Sequence, residues 1–277
     1  MVESADYLET FMDNNRTRIA VTGAAGRMGR RLVALAVAAE QLDLVAALEV
    51  ANHPEAGKDA GDLAGVGVQG VEVGHQLTEK VDVLIDFSTP ESTMEWLGTC
   101  RARNLPIVIG TTGLSPSQTA AVAEAAKTIP VIHTANYSVG VNVLLTVVGQ
   151  VAKVLGGDYD IEISETHHRF KKDAPSGTAL ALAKAICEGL GKDPATTLVN
   201  GREGLSPRKE GEIGMHALRV GDTVGDHTIH FGNLGETVTI GHCAHTRDTF
   251  ARGALRAAAW LAGKPAGLYT MKDVLAM

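Results

Sequence analysis

The chain has 277 residues, 45% of them hydrophobic and only 4% aromatic, with a formal net charge of −7. That length allows one large or two medium domains with a sizeable core. The acidic balance argues against non-specific nucleic-acid binding, which calls for a basic surface. An apolar content carried by Ala, Val, Leu and Ile suits an α/β protein with buried parallel strands.

Residues 1–15 are acidic, lack a long apolar core, and read as a short, loosely held extension rather than a secretory signal. "RIAVTG" is a β-type run ending in Gly23, "GRMGRRLVALAVAAE" has helical apolar spacing, and "LDLVAALE" is a second strand. Together they open a βαβ fold. "VDVLIDFS", "LPIVIGTTG" and "IPVIHTANYS" are further buried strands running into polar loops. "SPSQTAAVAEAAKT" is a helix with Ser115 or Ser117 as its N-cap. Beyond residue 140 the pattern changes. "VGVNVLLTVVGQVAKVLG" is one long apolar helix, and "DIEISETH" alternates Ile161 and Ile163 with Glu162 and Ser164 as a half-buried strand. "TALALAKAICEGL" is a helix. "GMHALRVG", "DHTIHFG" and "ETVTIGHCAH" are strands whose tight Gly-rich turns predict antiparallel pairing. The tail "DTFARGALRAAAWLAG" returns to helix. Apolar runs such as "LVALAVAA" are too short to span a bilayer. Cys100, Cys187 and Cys243 are scattered without a CxxC, which points to free thiols in the cytoplasm or an equivalent reducing compartment.

"GAAGRMGR" places Gly23, Gly26 and Gly29 between a strand and a helix. There the backbone can approach a pyrophosphate, and the helix start offers N–H groups and a positive dipole end. Glu49 ends the next strand, where an acid grips ribose hydroxyls. The spacing is GxxGxxG, a variant of the dinucleotide fingerprint. A bare Gly-rich turn without ligand is the competing reading, and Arg27 is either a surface charge or a partner of the cofactor phosphates. Gly110, Thr111 and Thr112 lie at a later strand end, near a ribose or the nicotinamide amide; "FSTPE" taken alone reads as turn chemistry.

"ETHHRFKKDAPSGTA" gathers His167, His168, Arg169, Lys171 and Lys172 in an acidic chain. Neighbouring residues at a strand end diverge, so the two histidines take different roles, and so do the two lysines. Pro175 precedes a helix opened by Ser176, Gly177 and Thr178, whose N–H and hydroxyl groups suit a carboxylate. A solvated basic face and a simple N-cap are the alternatives. His216, His227, His230, His242 and His245 show no HxH or HExxH spacing, so no metal site is expected.

These stretches, together with "ANYSVGVN" and "FARGALRAAAWLAGKPAGLYTMKDVL", resemble the 4-hydroxy-tetrahydrodipicolinate reductase (dihydrodipicolinate reductase) family in order over nearly the whole chain after the extension. The resemblance implies a Rossmann-like nucleotide-binding domain over residues 16–138, completed by 250–277. It also implies an α+β substrate and oligomerisation domain with a mixed sheet over 139–249, usually building a homotetramer. His167 is then the acid/base residue and Lys171 the proton donor, with His168, Gly177 and Thr178 on the carboxylates of a cyclic imine. Gly23, Ala24, Ala25, Gly26, Arg27 and Met28 line NADH or NADPH, as do Glu49, Gly110 to Thr112, and Thr134, Ala135, Asn136 and Tyr137. Many bacterial members carry Arg where this chain has Val50, which favours NADH. The competing functions are another nicotinamide enzyme, such as an amino-acid dehydrogenase, and a non-catalytic NAD(P)H sensor.

Overall fold

A computed structural model describes residues 16–277; the expected N-terminal extension lies outside them. By contacts the described chain divides into two units. The first runs to Ile132 and includes Leu255–Leu268; the second comprises His133–Ala254 and Tyr269–Met277.

In the first unit, β1 (Thr17–Thr22), α1 (Arg27–Val37) and β2 (Leu42–Leu48) form the expected βαβ start. α2 (Ala60–Ala64) and β3 (Val73–Gly74) follow, then β4 (Val83–Asp86), α3 (Pro90–Arg103), β5 (Ile107–Ile109), α4 (Pro116–Ala125) and β6 (Pro130–His133). β1 pairs in parallel with both β2 and β4, β2 with β3, and β4 with β5. Fully buried runs such as β4 and β5 have no polar phase because helices cover both faces of such a sheet. Local chemistry sets the helix starts. Thr89 caps α3 ahead of Pro90, and Ser115, not Ser117, caps α4 through a reciprocal capping box with Gln118.

The second unit contains α5 (Val139–Leu155), β7 (Asp160–His167), α6 (Gly177–Leu190), α7 (Pro194–Thr197), β8 (Leu198–Asn200), β9 (Ile213–Arg219), β10 (Gly225–Asn233) and β11 (Glu236–Ala244). α8 (Asp248–Leu261), β12 (Gly267–Tyr269) and α9 (Met271–Leu275) complete the chain, and β12 joins the first sheet, in the order β12-β6-β5-β4-β1-β2-β3. The second sheet has the order β11-β10-β7-β9-β8. Its apolar face, including Ile161, Ile163, Ile229 and Phe231, packs with Leu144 and Val148 of α5 and Leu182 and Ile186 of α6. The two helices approach closely at glycines: a Cβ on Gly189 would lie 2.3 Å from the Gly149 carbonyl oxygen.

Three expectations need correction. Of β9, β10 and β11, only β10 and β11 pair with each other; β10 also pairs antiparallel with β7, which lies parallel to β9 and separates it from β10. The Val220 N–H bonds to the His167 carbonyl, so the chain crosses the end of β7 before returning as β10. Second, residues 133–138, 250–254 and 269–277 fall in the second unit, where buried Met271 and Val274 of α9 pack and α9 contacts α5. Third, Val139–Asp158, at 20 residues and a mean hydropathy of 1.7, is long and apolar enough by those measures to cross a membrane. Scattered Asn142, Thr146 and Gln150 conceal that length in the sequence; Leu144, Val148 and Ala152 bury one stripe of it in the core.

Candidate active site

The first unit presents a dinucleotide cradle at the carboxyl ends of β1, β2, β4 and β5. Gly23 has φ +66°, and a Cβ there would meet the Phe87 carbonyl oxygen at 2.3 Å, so only glycine permits the turn. Ala24 and Ala25 are buried, Gly26 and Arg27 are exposed, and Met28 is half-buried. Gly26 is the N-cap of α1 and supplies no side-chain cap, nor does the first turn carry an acid. Its leading N–H groups and dipole therefore remain for an anion, and this fits a cofactor diphosphate. Glu49 Oε1 accepts the Ala25 N–H at 2.9 Å, tying the end of β2 to the turn. Beside it is a cleft of about 410 Å³ lined by Glu49, Val50, His75, Glu95 and Trp96.

A buried carboxylate organises this cradle. Asp86, the last residue of β4, has no exposed surface. It accepts hydroxyl hydrogens from Thr22 (2.5 Å), Ser88 (2.5 Å), Thr93 (2.6 Å) and Thr111 (2.9 Å). Those donors belong to the end of β1, the "FSTPE" loop, α3 and the "GTTG" loop. The side chain of Thr111 is thus committed to the scaffold, and it also accepts the Ser88 N–H at 3.0 Å. Gly110 lies under the Phe87 ring, where a Cβ would come within 2.2 Å, while Thr112 is exposed.

The second unit brings together the ends of β7, β9 and β10 and the start of α6. The Ala174–Pro175 peptide is cis. His167 is 9% exposed and its ring meets that of His227, whereas half-buried His168 has its ring beside Phe170. Lys171 is half-buried and pairs with Asp173 at 2.9 Å, while Lys172 is exposed. The Lys171 hydrogen bond holds the Asp173 carboxyl below its ordinary value. Ser176 is only 2% exposed. Its hydroxyl caps α6 through the Ala179 N–H (3.1 Å) and meets His227 Nε2 at 3.0 Å, and its own N–H goes to Glu165. Gly177 and Thr178, in the first turn beyond it, keep outward N–H groups. Asn136 Nδ2 donates to Thr178 Oγ1 at 3.0 Å, which leaves the Thr178 hydroxyl hydrogen free to donate.

Thr134, Ala135, Asn136 and Tyr137 fall in the second unit by contacts. Ala135 is exposed, whereas Tyr137 is 2% exposed, its carbonyl oxygen 1.8 Å from where a Cβ on Gly253 would stand. Asn142 Nδ2 fixes the turn by donating to the carbonyls of Asn136 (3.0 Å) and Ser138 (2.8 Å).

Three organising residues escaped the sequence reading, Asp86, Glu165 and Arg219, and His227 entered it only as a rejected metal ligand. Glu165 is 1% exposed and accepts from Arg219, His167 and Ser176. Burial pushes its carboxyl up, but the Arg219 and His167 hydrogen bonds outweigh that and hold it below the ordinary value. His167 is lowered by burial against the opposing pull of Glu165. His227 is lowered to about 4, by burial first and by His167 second, so it stays neutral at physiological pH. The signal for Glu165 was its place on the apolar phase of a strand, where an unpaired acid is not tolerated.

The Rossmann-type sheet and its cradle define a dinucleotide-binding α/β protein. The comparisons narrow the class. Residues 17–137 match the family model "Dihydrodipicolinate reductase, N-terminus", and residues 140–275 match "Dihydrodipicolinate reductase, C-terminus". The 4-hydroxy-tetrahydrodipicolinate reductase of Geotalea uraniireducens is 48% identical over 264 residues, covering 94% of this chain and 99% of the relative. The enzyme of that name from Anaeromyxobacter dehalogenans is 49% identical over 94% of this chain and 98% of its own. Among solved structures, a dipicolinate-bound dihydrodipicolinate reductase from Paenisporosarcina sp. TG-14 aligns with a TM-score of 0.72 at 28% identity, covering 93% of this chain and 98% of that one. The chain belongs to the dihydrodipicolinate reductase family and is an NAD(P)H-dependent oxidoreductase.

Asp86→Ala should strand the Thr22, Thr93 and Thr111 hydroxyls at once. Each buried group left unpaired costs about 1–3 kcal/mol, partly relieved by rearrangement. We expect a lower thermal midpoint and at least about tenfold weaker NADH binding by fluorescence titration, since loosening the loops disorders the cradle. Unchanged NADH affinity would separate Asp86 from the cofactor site.

Proposed function

We propose that this chain reduces 4-hydroxy-tetrahydrodipicolinate, by way of dihydrodipicolinate, to tetrahydrodipicolinate in lysine and diaminopimelate biosynthesis in the cytoplasm. The observation that carries the substrate is the start of α6, where Gly177 and Thr178 offer N–H and hydroxyl donors in the same loop as His167 and Lys171. A cyclic imine with two carboxylates needs such an array, because aimed donors orient the ring and offset its charge.

NADH or NADPH, when bound, supplies the hydride that reduces the conjugated imine at C4 of the ring. The chain's own residues manage charge and protons. Gly177 and Thr178 hold one carboxylate, and His168 faces the dianion. Lys171 protonates the enamine left after reduction, and the ammonium is regenerated from solvent by way of His167. In the free protein Lys171 pairs with Asp173, and the substrate's negative charge competes with that carboxylate for the ammonium.

The groups should separate kinetically. Lys171→Ala removes a donor that acts in the transition state, so turnover should fall about 100-fold or more while NADH affinity holds. Thr178→Val removes a ground-state hydrogen bond to a charge, worth about 1.5–3 kcal/mol, so KM for the dicarboxylate should rise roughly ten- to hundred-fold. Both are read from nicotinamide absorbance with substrate generated by an aldolase. Near-normal turnover in Lys171→Ala contradicts its role, and an unchanged KM in Thr178→Val places the carboxylate elsewhere. Turnover of an amino acid without the cyclic imine would favour the amino-acid dehydrogenase reading, and cofactor binding without oxidation the sensor.

We further propose that NADH serves at least as well as NADPH. The cleft beside β2 holds two carboxylates, Glu49 and Glu95, which suit a ribose diol and repel a 2′-phosphate. Exposed Arg27, the first residue of α1, is the compensating cation nearest in sequence. Arg27→Ala should weaken kcat/KM for NADPH about tenfold more than for NADH, the loss of one charge-assisted bond. A tenfold or greater wild-type preference for NADPH contradicts the role given to Glu49.

The homotetramer is proposed from the family pattern and from the second sheet, whose nine-residue edge strand β11 alternates exposed Thr237, Thr239, Gly241 and Cys243 with inward residues. Sedimentation at micromolar concentration should give a species four times the monomer mass; a stable monomer contradicts it.

A further inference from the structure

Strand β7 carries its apolar phase through Ile161 and Ile163 and then places Glu165 and His167 on the same buried face. Glu165 is enclosed by donors. Arg219 gives it two bonds, Nη1 to Oε2 at 2.8 Å and Nη2 to Oε1 at 2.9 Å, in the planar fork that suits a carboxylate. The Ser176 N–H adds a third at 3.0 Å, and His167 Nδ1 lies 2.5 Å from Oε2. A carboxylate so held accepts only, so the short contact requires the proton on Nδ1. His167 Nε2 is then the nitrogen that exchanges a proton. It stands over Gly225, where even a methyl group would approach it to 3.2 Å, and the His227 ring meets the imidazole edge-on with centroids 5.1 Å apart.

We propose that Glu165 and Arg219 form a positioning pair for His167: the carboxylate fixes the Nδ1–H tautomer and the ring plane, while the guanidinium keeps that carboxylate from over-stabilising an imidazolium. Through the Ser176 N–H the same carboxylate anchors the start of α6, so the proton-exchanging ring and the carboxylate-binding turn share one support. The inference rests on the acid/base role of His167 proposed above. Arg219 Nη2 also donates to the Asp173 carbonyl at 2.5 Å, extending the support to the loop that bears Lys171.

The groups that face His167 are Glu165 on β7, Lys171 in the loop, Arg219 on β9 and His227 on β10. Glu165 alone among them favours the charged ring; Lys171 and Arg219 oppose it. The pair therefore predicts shifts of opposite sign. Glu165→Gln removes the negative charge, so the His167 pKa should fall. Arg219→Met leaves the carboxylate beside the ring without its counter-charge, so the His167 pKa should rise. A support that merely stiffens the fold would not give opposite signs.

The test is long-range ¹H–¹⁵N correlation NMR of the histidines in the full-length protein over a pH series, beside kcat and KM measured over the same range. Wild type should show His167 protonated on Nδ1. Glu165→Gln should lower the pKa and reduce kcat about 10- to 100-fold with KM for NADH unchanged. Arg219→Met should raise the pKa, and Arg219→Lys should restore part of the wild-type value. Shifts of the same sign, or none, in the two charge-removing variants would overturn the proposal. A wild-type ring protonated on Nε2 would overturn it without any variant, even if the variants failed to fold. Expected tautomer and pKa shifts in a protein that does not turn over the cyclic imine would uphold the pair and reject the substrate assignment instead.

Discussion

A buried carboxylate must find donors or destabilise the fold, and the second unit is arranged around one such group. Glu165 is almost inaccessible and collects hydrogen bonds from β9, from the end of its own strand and from the first residue before α6. The charge fixes which residues can approach. It brings Arg219 across from the parallel neighbour β9, it sets the orientation of His167, and it holds Ser176 where its hydroxyl can cap α6. The positions of Gly177 and Thr178 follow from that cap. The first unit solves the same problem with different chemistry. Asp86 is surrounded by four hydroxyls and no cation, so it gathers loops without placing positive charge next to them. At the dinucleotide cradle, positive character therefore comes from backbone N–H groups at the start of α1 and from exposed Arg27.

The balance of charge in the second unit has a consequence for proton handling. Neutral His227, its pKa lowered by burial, spares His167 a neighbouring positive charge. Lys171 and Arg219 oppose a charged His167, and Glu165 supports it. The ring is thereby kept able both to accept and to release a proton, which an isolated His–Glu pair, biased toward the imidazolium, would do less well.

The sequence exposed those features that depend on local pattern. The strand–turn–helix around Gly23, the long helix that became α5, the alternation of β7 and the Ser-capped start of α6 were all legible, because each follows from near-neighbour sterics and periodicity. Sheet order was not. Tight turns before and after β10 look alike, yet only the second makes a hairpin; the first carries the chain across the end of β7, a choice made by tertiary pairing. Short elements such as β8, β12 and α9 have too few residues to show a period. The partners of Glu165 and Asp86 lie up to 54 and 64 residues away, beyond any spacing rule. "FSTPE" reads as a turn when taken alone; its Ser88 and the following Thr93 take on a role only once β4 brings Asp86 beside them.

If the loop after β7 and the start of α6 receive a planar dicarboxylate, as proposed above, the donors there must respond to one. Titration of pyridine-2,6-dicarboxylate into the ¹⁵N-labelled protein tests this directly. The Gly177 and Thr178 amides should shift downfield as they bond to a carboxylate, and the pKa of His167 should rise under the added negative charge. Saturable binding that leaves those amides and the His167 titration unmoved would contradict the account.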